Sequence, residues 1–289
     1  MKLESGKEIP SPSNEIRNSL TAQPTSSVIR PFSAIELFPY TRLIFKEDGR
    51  TLVDMSPIEA AINEILNSSH ASPVMPGIKL TFMQQLNYGF AVFDNEFKPK
   101  EPITVTNKLD QHVLLKYHEK FMLVLAKILM ICDQFATLDF NDKLYLFKNS
   151  WHIFYLIERH YTSIEYFGRA KEDLRVFIND QIAVDYNDDN EFHIKGVNQK
   201  LFNRNRQLWL PFRDKFVKNL IIPMKDLQIT QYELAFLLSH ILWNVQNSEG
   251  LSEETIKIAK QVTEQTAMEL HNYFLYEKVS FCLLKPHKK

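Results

Sequence analysis

Between Leu144 and Ile157 the chain carries apolar side chains on every side of any helix it could form. Leu144, Phe147, Trp151, Phe154 and Glu158 follow one another at steps of three and four, the spacing of one helical face. Leu146, Ile153, Tyr155, Leu156 and Ile157 fill the remaining sides. A helix that is apolar all round must be wrapped by other elements, so this stretch predicts the buried middle of a layered helical bundle. Its start is marked as well. Asp139 is placed to cap the first turn, and Asp142 lies where the positive end of the helix dipole favours a carboxylate.

The rest of the composition suits such a bundle. Of 289 residues, 45% are hydrophobic and 21 are Phe, enough for a large core, while only 7 Gly point to few tight turns. The formal net charge of -1 offers no basic footprint for nucleic acid. Two cysteines, Cys132 and Cys282, are too few for a disulfide framework or a four-ligand zinc site, and the cell interior is the expected compartment. Met1–Pro10 is charged and lacks the apolar core of a signal peptide. The longest apolar run, Phe121–Cys132, is about half a membrane span and is broken by Lys127. These features predict a soluble intracellular protein.

Residues 1–30 are rich in Ser, Pro, Thr and Asn without periodicity and read as a disordered tail or linker. The domain proper is expected over 31–289, most clearly over 56–276. Ser56-Pro57-x-Glu59 reads as a helix start with Ser as cap, the helix ending near Asn67. Phe82–Phe93 is a further partly apolar helix or turn, closed off by Pro99 and Pro102. A long helix is expected from about Asn107 to Gln134, with Val113, Leu114, Tyr117, Phe121, Leu125, Ile128 and Leu129 along its stripe and His118 and Glu119 mostly off it. Val176–Val184 reads as two short strands around Asn179-Asp180. Trp209, Phe212, Phe216 and Leu220 form a helical face, with Pro211 near its start and Pro223 closing it. Thr230 and Glu233 have capping-box spacing, opening a helix through Leu242. The last clear helix starts after Gly250 and runs to about Tyr276.

One set of residues carries a resemblance to a known family. Phe135-x-x-Leu138-x-x-x-Asp142-Lys143-x-x-Leu146-Phe147, followed by Trp151, resembles the signature of nuclear-receptor ligand-binding domains. Leu129-Met130-x-Cys132 before it, and Lys148-x-x-Trp151 with Glu158-Arg159-x-Tyr161 inside it, resemble the large nematode branch of that family. The resemblance implies an all-α, three-layer helical sandwich with one small β-hairpin just after the central helix. It also implies a nuclear regulator of transcription. The eight zinc-binding cysteines of the family's DNA-binding module cannot come from this chain, so direct nucleic-acid binding is not expected. The tail from Val279 to Lys289 is too short for the family's dimerisation and activation helices and has no acidic residue, which reads as truncation or loss.

The same resemblance supplies candidate sites. A coregulator groove would be built by Lys127, Met130, Phe140, Lys143, Leu144 and Phe147, and would take an amphipathic helix by its i, i+3, i+4 apolar side chains. A pocket for a small hydrophobic ligand would be lined by the interior-facing Phe121, Leu125, His152 and Tyr155, with His152 as the polar group. The known catalytic motifs are absent: there is no Gly-x-Ser-x-Gly, no glycine-rich phosphate loop and no His-Glu-x-x-His, and no two histidines lie four apart on a helix for a metal. No cofactor, metal, catalytic residue or membrane partner is expected. Two functions stand side by side. One is a transcription regulator that binds a small apolar ligand and coregulator helices. The other is a ligand-independent module that sequesters coregulators or partner receptors without touching DNA.

Overall fold

The computed structural model describes residues 42–45, 51–69, 78–188, 192–246 and 248–284, with backbone alone for 42–45, 51 and 277–284. All lie in one compact unit, Ile35–Lys289, and the expected tail 1–30 falls outside the described residues. The elements are β1 (Arg42–Phe45), β2 (Thr51–Asp54), α1 (Ser56–Asn67), α2 (Phe82–Phe97), β3 (Thr104–Val105), β4 (Lys108–Asp110) and α3 (Gln111–Leu129). Then come α4 (Asp133–Ala136), α5 (Phe140–Phe167), β5 (Arg175–Phe177), β6 (Ile182–Asp185), β7 (His193–Lys195) and α6 (Gln199–Phe216). A π-helical turn (Val217–Ile221) leads into α7 (Ile222–Leu227), followed by α8 (Gln231–Leu242) and α9 (Glu253–Leu284).

The helices stack in three layers. α1 and α3 pack on α5, α2 packs on α3, and α8 packs on both α2 and α5 with α9 beside it. The expected all-α sandwich is therefore present, with α5 and α2 as its middle. α5 is 28 residues long and buries Leu146, Phe147, Phe154, Ile157 and Ile164 from different sides, as its all-round apolar character requires. Buried Gln85 clamps the break between α3 and α5: its Nε2 donates to Asp133 Oδ2 at 2.8 Å, and its Oε1 accepts from Asp133 N at 3.0 Å. Thr81 closes a capping box with Gln84 at the start of α2. Its hydroxyl also donates to Glu269 Oε2 on α9, 2.7 Å away.

Asp142 lies in the first turn of α5, as read, and has a second role there. It is 5% exposed and accepts hydrogen bonds from Ser252 Oγ at 2.5 Å and Thr255 Oγ1 at 2.6 Å, which tie the first turn of α5 to the first turn of α9. Asp139, the expected cap, makes no side-chain cap bond. At α1 Ser56 N donates to Asp54 Oδ1 at 3.0 Å, and Ser56 is the first helical residue, not the cap.

Several boundaries differ from expectation. The long helix is α3, shorter at both ends, because Lys108–Asp110 pairs in parallel with His193–Lys195 and the chain turns again at Met130. Glu119 faces inward, not off the stripe, and Val113 is exposed. α6 begins at Gln199, where Asn198 Oδ1 accepts from Leu201 N, so Pro211 sits inside the helix and not near its start. Pro223 occupies the first turn of α7. The strands at 175–185 form the expected antiparallel pair, but β3 joins β6 in parallel, and β1–β2 and β4–β7 make two more pairs, so the β content exceeds one hairpin. The Thr230–Glu233 capping box is formed as read, and α9 runs past Tyr276 to Leu284.

Candidate functional site

The interior between α3 and α5 is filled with rings. Phe121 stands edge-on to Phe93 at 5.1 Å and to Tyr155 at 5.2 Å, and Phe97 stacks on Phe93 at 4.3 Å. Edge-to-face and offset pairs of this kind fill space and hold one arrangement. Arg159, 1% exposed, lies beside this cluster with its guanidinium 5.3 Å from the centre of the Tyr117 ring. Its Nε and Nη2 reach the adjacent Glu158 at 2.6 and 2.5 Å, and Thr162 Oγ1 donates to the same carboxylate at 2.7 Å. The buried carboxylate holds the guanidinium proton more firmly than usual, outweighing the cost of burial.

Of the four expected pocket residues, Phe121 and Leu125 are fully buried in this packing. Tyr155 is part of it and donates its hydroxyl to Ile178 O at 3.0 Å. His152 is exposed on the outer side of α5, not in the interior, so it cannot orient a ligand among the other three.

An apolar cavity of about 340 Å³ lies next door, on the far side of Ile178. Its walls are Leu109 of β4, Ile178 and Val184 of the β5–β6 pair, Tyr186, Phe192, and Phe202, Asn205, Arg206 and Trp209 of α6. Two short parallel pairings bring these segments together, since β4 meets β7 and β3 meets β6. Tyr186 stands edge-on to Trp209 at 5.6 Å, and Arg206 lies over the Phe192 ring at 5.5 Å. Burial pushes the Tyr186 phenol up to about 12. α6 covers this space with none of its own residues buried. Volume, an apolar lining and a few polar groups are what a small-ligand pocket needs. Sequence reasoning did not single out these residues. The only local signals were the alternation of Phe192 and Ile194 and the Trp209 face, and neither names its partner across the cavity.

The six expected groove residues lie at the end of α3 (Lys127 and Met130) and over the first two turns of α5 (Phe140, Lys143, Leu144 and Phe147). Met130 ends α3, and Met130, Lys143 and Phe147 are buried, while Phe140 and Leu144 are partly buried against the core. Lys143 Nζ donates to Ala136 O at 3.3 Å, closing α4 onto α5. Burial lowers the affinity of both Lys127 and Lys143 for their protons. Among the described residues no cluster of three or more His, Cys, Asp or Glu side chains could hold a metal ion. No described helix is long and apolar enough to cross a membrane.

A helical sandwich with a small sheet beside its central helix defines a ligand-binding-domain architecture, and residues 99–280 match the family described as the ligand-binding domain of nuclear hormone receptor. The chain belongs to the family of nuclear hormone receptor ligand-binding domains. It is 22% identical over 249 residues to nuclear hormone receptor family member nhr-213 of Caenorhabditis elegans, covering 84% of this chain and 58% of that protein. It is 26% identical over 180 residues to member nhr-127 of the same organism, covering 62% of this chain and 50% of the relative. The chain thus spans about half the length of these curated relatives. Among solved structures, the Ultraspiracle ligand-binding domain from Drosophila melanogaster aligns with a TM-score of 0.47 at 14% identity, over 73% of this chain and 79% of that one.

Proposed function

We propose that this chain acts in transcription regulation in the nucleus as a ligand-binding domain, taking a small, mainly apolar ligand in the cavity beneath α6. The observation that carries this reading is the cavity itself, about 340 Å³ with a lining that is apolar apart from Asn205, Arg206 and the Tyr186 hydroxyl. A ligand there would be flanked by Trp209 and Phe192 and oriented by Asn205 or Arg206. The pocket first expected at Phe121, Leu125, His152 and Tyr155 is supported less well, because rings occupy that space and His152 points outward. The groove formed by Lys127, Met130, Phe140, Lys143, Leu144 and Phe147 would take coregulator helices.

Native mass spectrometry of the purified chain, followed by denaturing extraction, tests the ligand site. A small apolar molecule at close to one per chain is expected. Asn205 is exposed on α6, so Asn205→Trp places a large ring at the cavity without disturbing the core, and should abolish the bound mass. An empty wild-type chain, or one whose ligand survives that change, would overturn this placement. The close-packed ring cluster of Phe93, Phe97, Phe121 and Tyr155 favours a second reading, a ligand-independent module that binds coregulators or partner receptors. An empty, stable chain is its expected result.

A further inference from the structure

We propose that α1 is a built-in occupant of the coregulator groove, so that this chain covers its own docking surface until α1 is displaced by a partner helix. The proposal rests on the reading of that groove given above. α1 carries Ile62-Asn63-Glu64-Ile65-Leu66, apolar side chains at i, i+3 and i+4, the spacing by which an amphipathic helix fills an apolar groove. Ile58 adds a fourth apolar position one turn earlier. Ile58 and Leu66 are 0% exposed and Ile62 is 5% exposed, whereas Glu59, Ala60 and Glu64 face solvent.

The surface that buries this stripe is α3 together with α5, the two helices whose junction forms the groove. The register on α5 is fixed by Lys148 Nζ, 3.3 Å from Glu59 Oε1. Lys148 directly follows Phe147, and Leu144 and Trp151 lie one turn to either side, both packed against the same core cluster as Ile58, Ile62 and Leu66. Both members of that ion pair are more than half exposed, so it marks position and adds little energy. Met130, Lys143 and Phe147 are 7%, 7% and 2% exposed, so the expected groove is covered in this structure, and α1 is a helix packed on both α3 and α5. A helix tethered this close competes as an intramolecular ligand at an effective concentration on the order of millimolar. An external helix of ordinary affinity is therefore excluded unless α1 lets go.

The test compares the full chain with a released form, Ile62→Asp/Leu66→Asp, using a fluorescein-labelled synthetic helix bearing a Leu-x-x-Leu-Leu pattern. The released form is expected to bind the probe at least about tenfold more tightly than the unmodified chain. A synthetic peptide of residues 54–68 should compete the probe away. Ile65→Glu, at a half-buried position, gives the same comparison should the double change unfold the chain. Equal probe binding to unmodified and released chains would overturn the self-occupancy and leave the groove reading standing. Failure of the probe to bind either chain, while the 54–68 peptide binds the released one, would instead remove the coregulator reading and the proposal with it.

Discussion

Thr255 Oγ1 donates a 2.6 Å hydrogen bond to the buried carboxylate of Asp142, 113 residues earlier in the chain. With Ser252 Oγ on the same carboxylate, this is how α9 is fastened to the central helix. Asp142→Ala would leave two hydroxyls without their acceptor. A loss of about 2–4 kcal/mol is expected, since these are bonds to a charged group in a buried setting. Urea unfolding measures it, and a loss below about 0.5 kcal/mol would show that α9 is held by apolar packing alone.

The Glu158–Arg159 pair makes a sharper prediction. Arg159→Met strands a buried carboxylate with Thr162 as its remaining donor, and should cost about 3–5 kcal/mol. Replacing both residues by Met removes the stranded charge and should recover most of that loss. If the double variant is no more stable than the single one in urea titration, the pair contributes more than the charge balance described.

Gly89 has a contact reason to be glycine. A Cβ there would stand 2.6 Å from Cγ2 of Ile128, which is 0% exposed and cannot swing aside. Gly89→Ala gains about 1 kcal/mol of helix propensity but should lose about 1–3 kcal/mol to overpacking. In a double-mutant cycle Ile128→Ala should absorb the overpacking, so the two changes should be clearly less destabilising together than their sum. Additive losses would place the strain elsewhere.

His160 sets an acid limit. Burial outweighs its 2.6 Å hydrogen bond to Leu156 O and lowers the imidazole from 6.5 to about 4. His118 is shifted in the same direction, also by burial. The sign follows directly: between those values the unfolded chain takes up a proton that the folded chain refuses. Stability is therefore fully present above pH 6.5 and declines as the pH falls towards 4, by about 3 kcal/mol for His160 alone. Thermal melts from pH 7 to 4.5 should show this decline, and His160→Gln should flatten it. A melt curve unchanged by that substitution would assign the acid sensitivity to carboxylates.

What could be read in the sequence was whatever is written locally. The Thr230–Glu233 capping box, the all-round apolar α5 and the strand pair at 175–185 each declare themselves within a few residues. The start of α6 did not: the apolar face read from the sequence begins only at Trp209, and Asn198 was the one marker of the true start. Asp142 was legible as a first-turn carboxylate, but its hydrogen-bond partners lie more than 100 residues away and were not. The cavity was hidden for the same reason: Leu109 reaches it through a parallel pairing with Ile194, which no local pattern encodes. His152 is exposed, and a helix apolar on every side gives no local pattern that tells its outer side from its inner one.

The bond from Thr81 to Glu269 spans 188 residues. During synthesis at 5–20 residues per second, the cap of α2 must wait roughly 9 to 40 s for its partner to leave the ribosome. Through that interval α2 and α3 have their rings but not the far layer that covers them. Apolar surface left open for that long is what makes a nascent chain prone to aggregate, so the far layer protects the near one only late in synthesis.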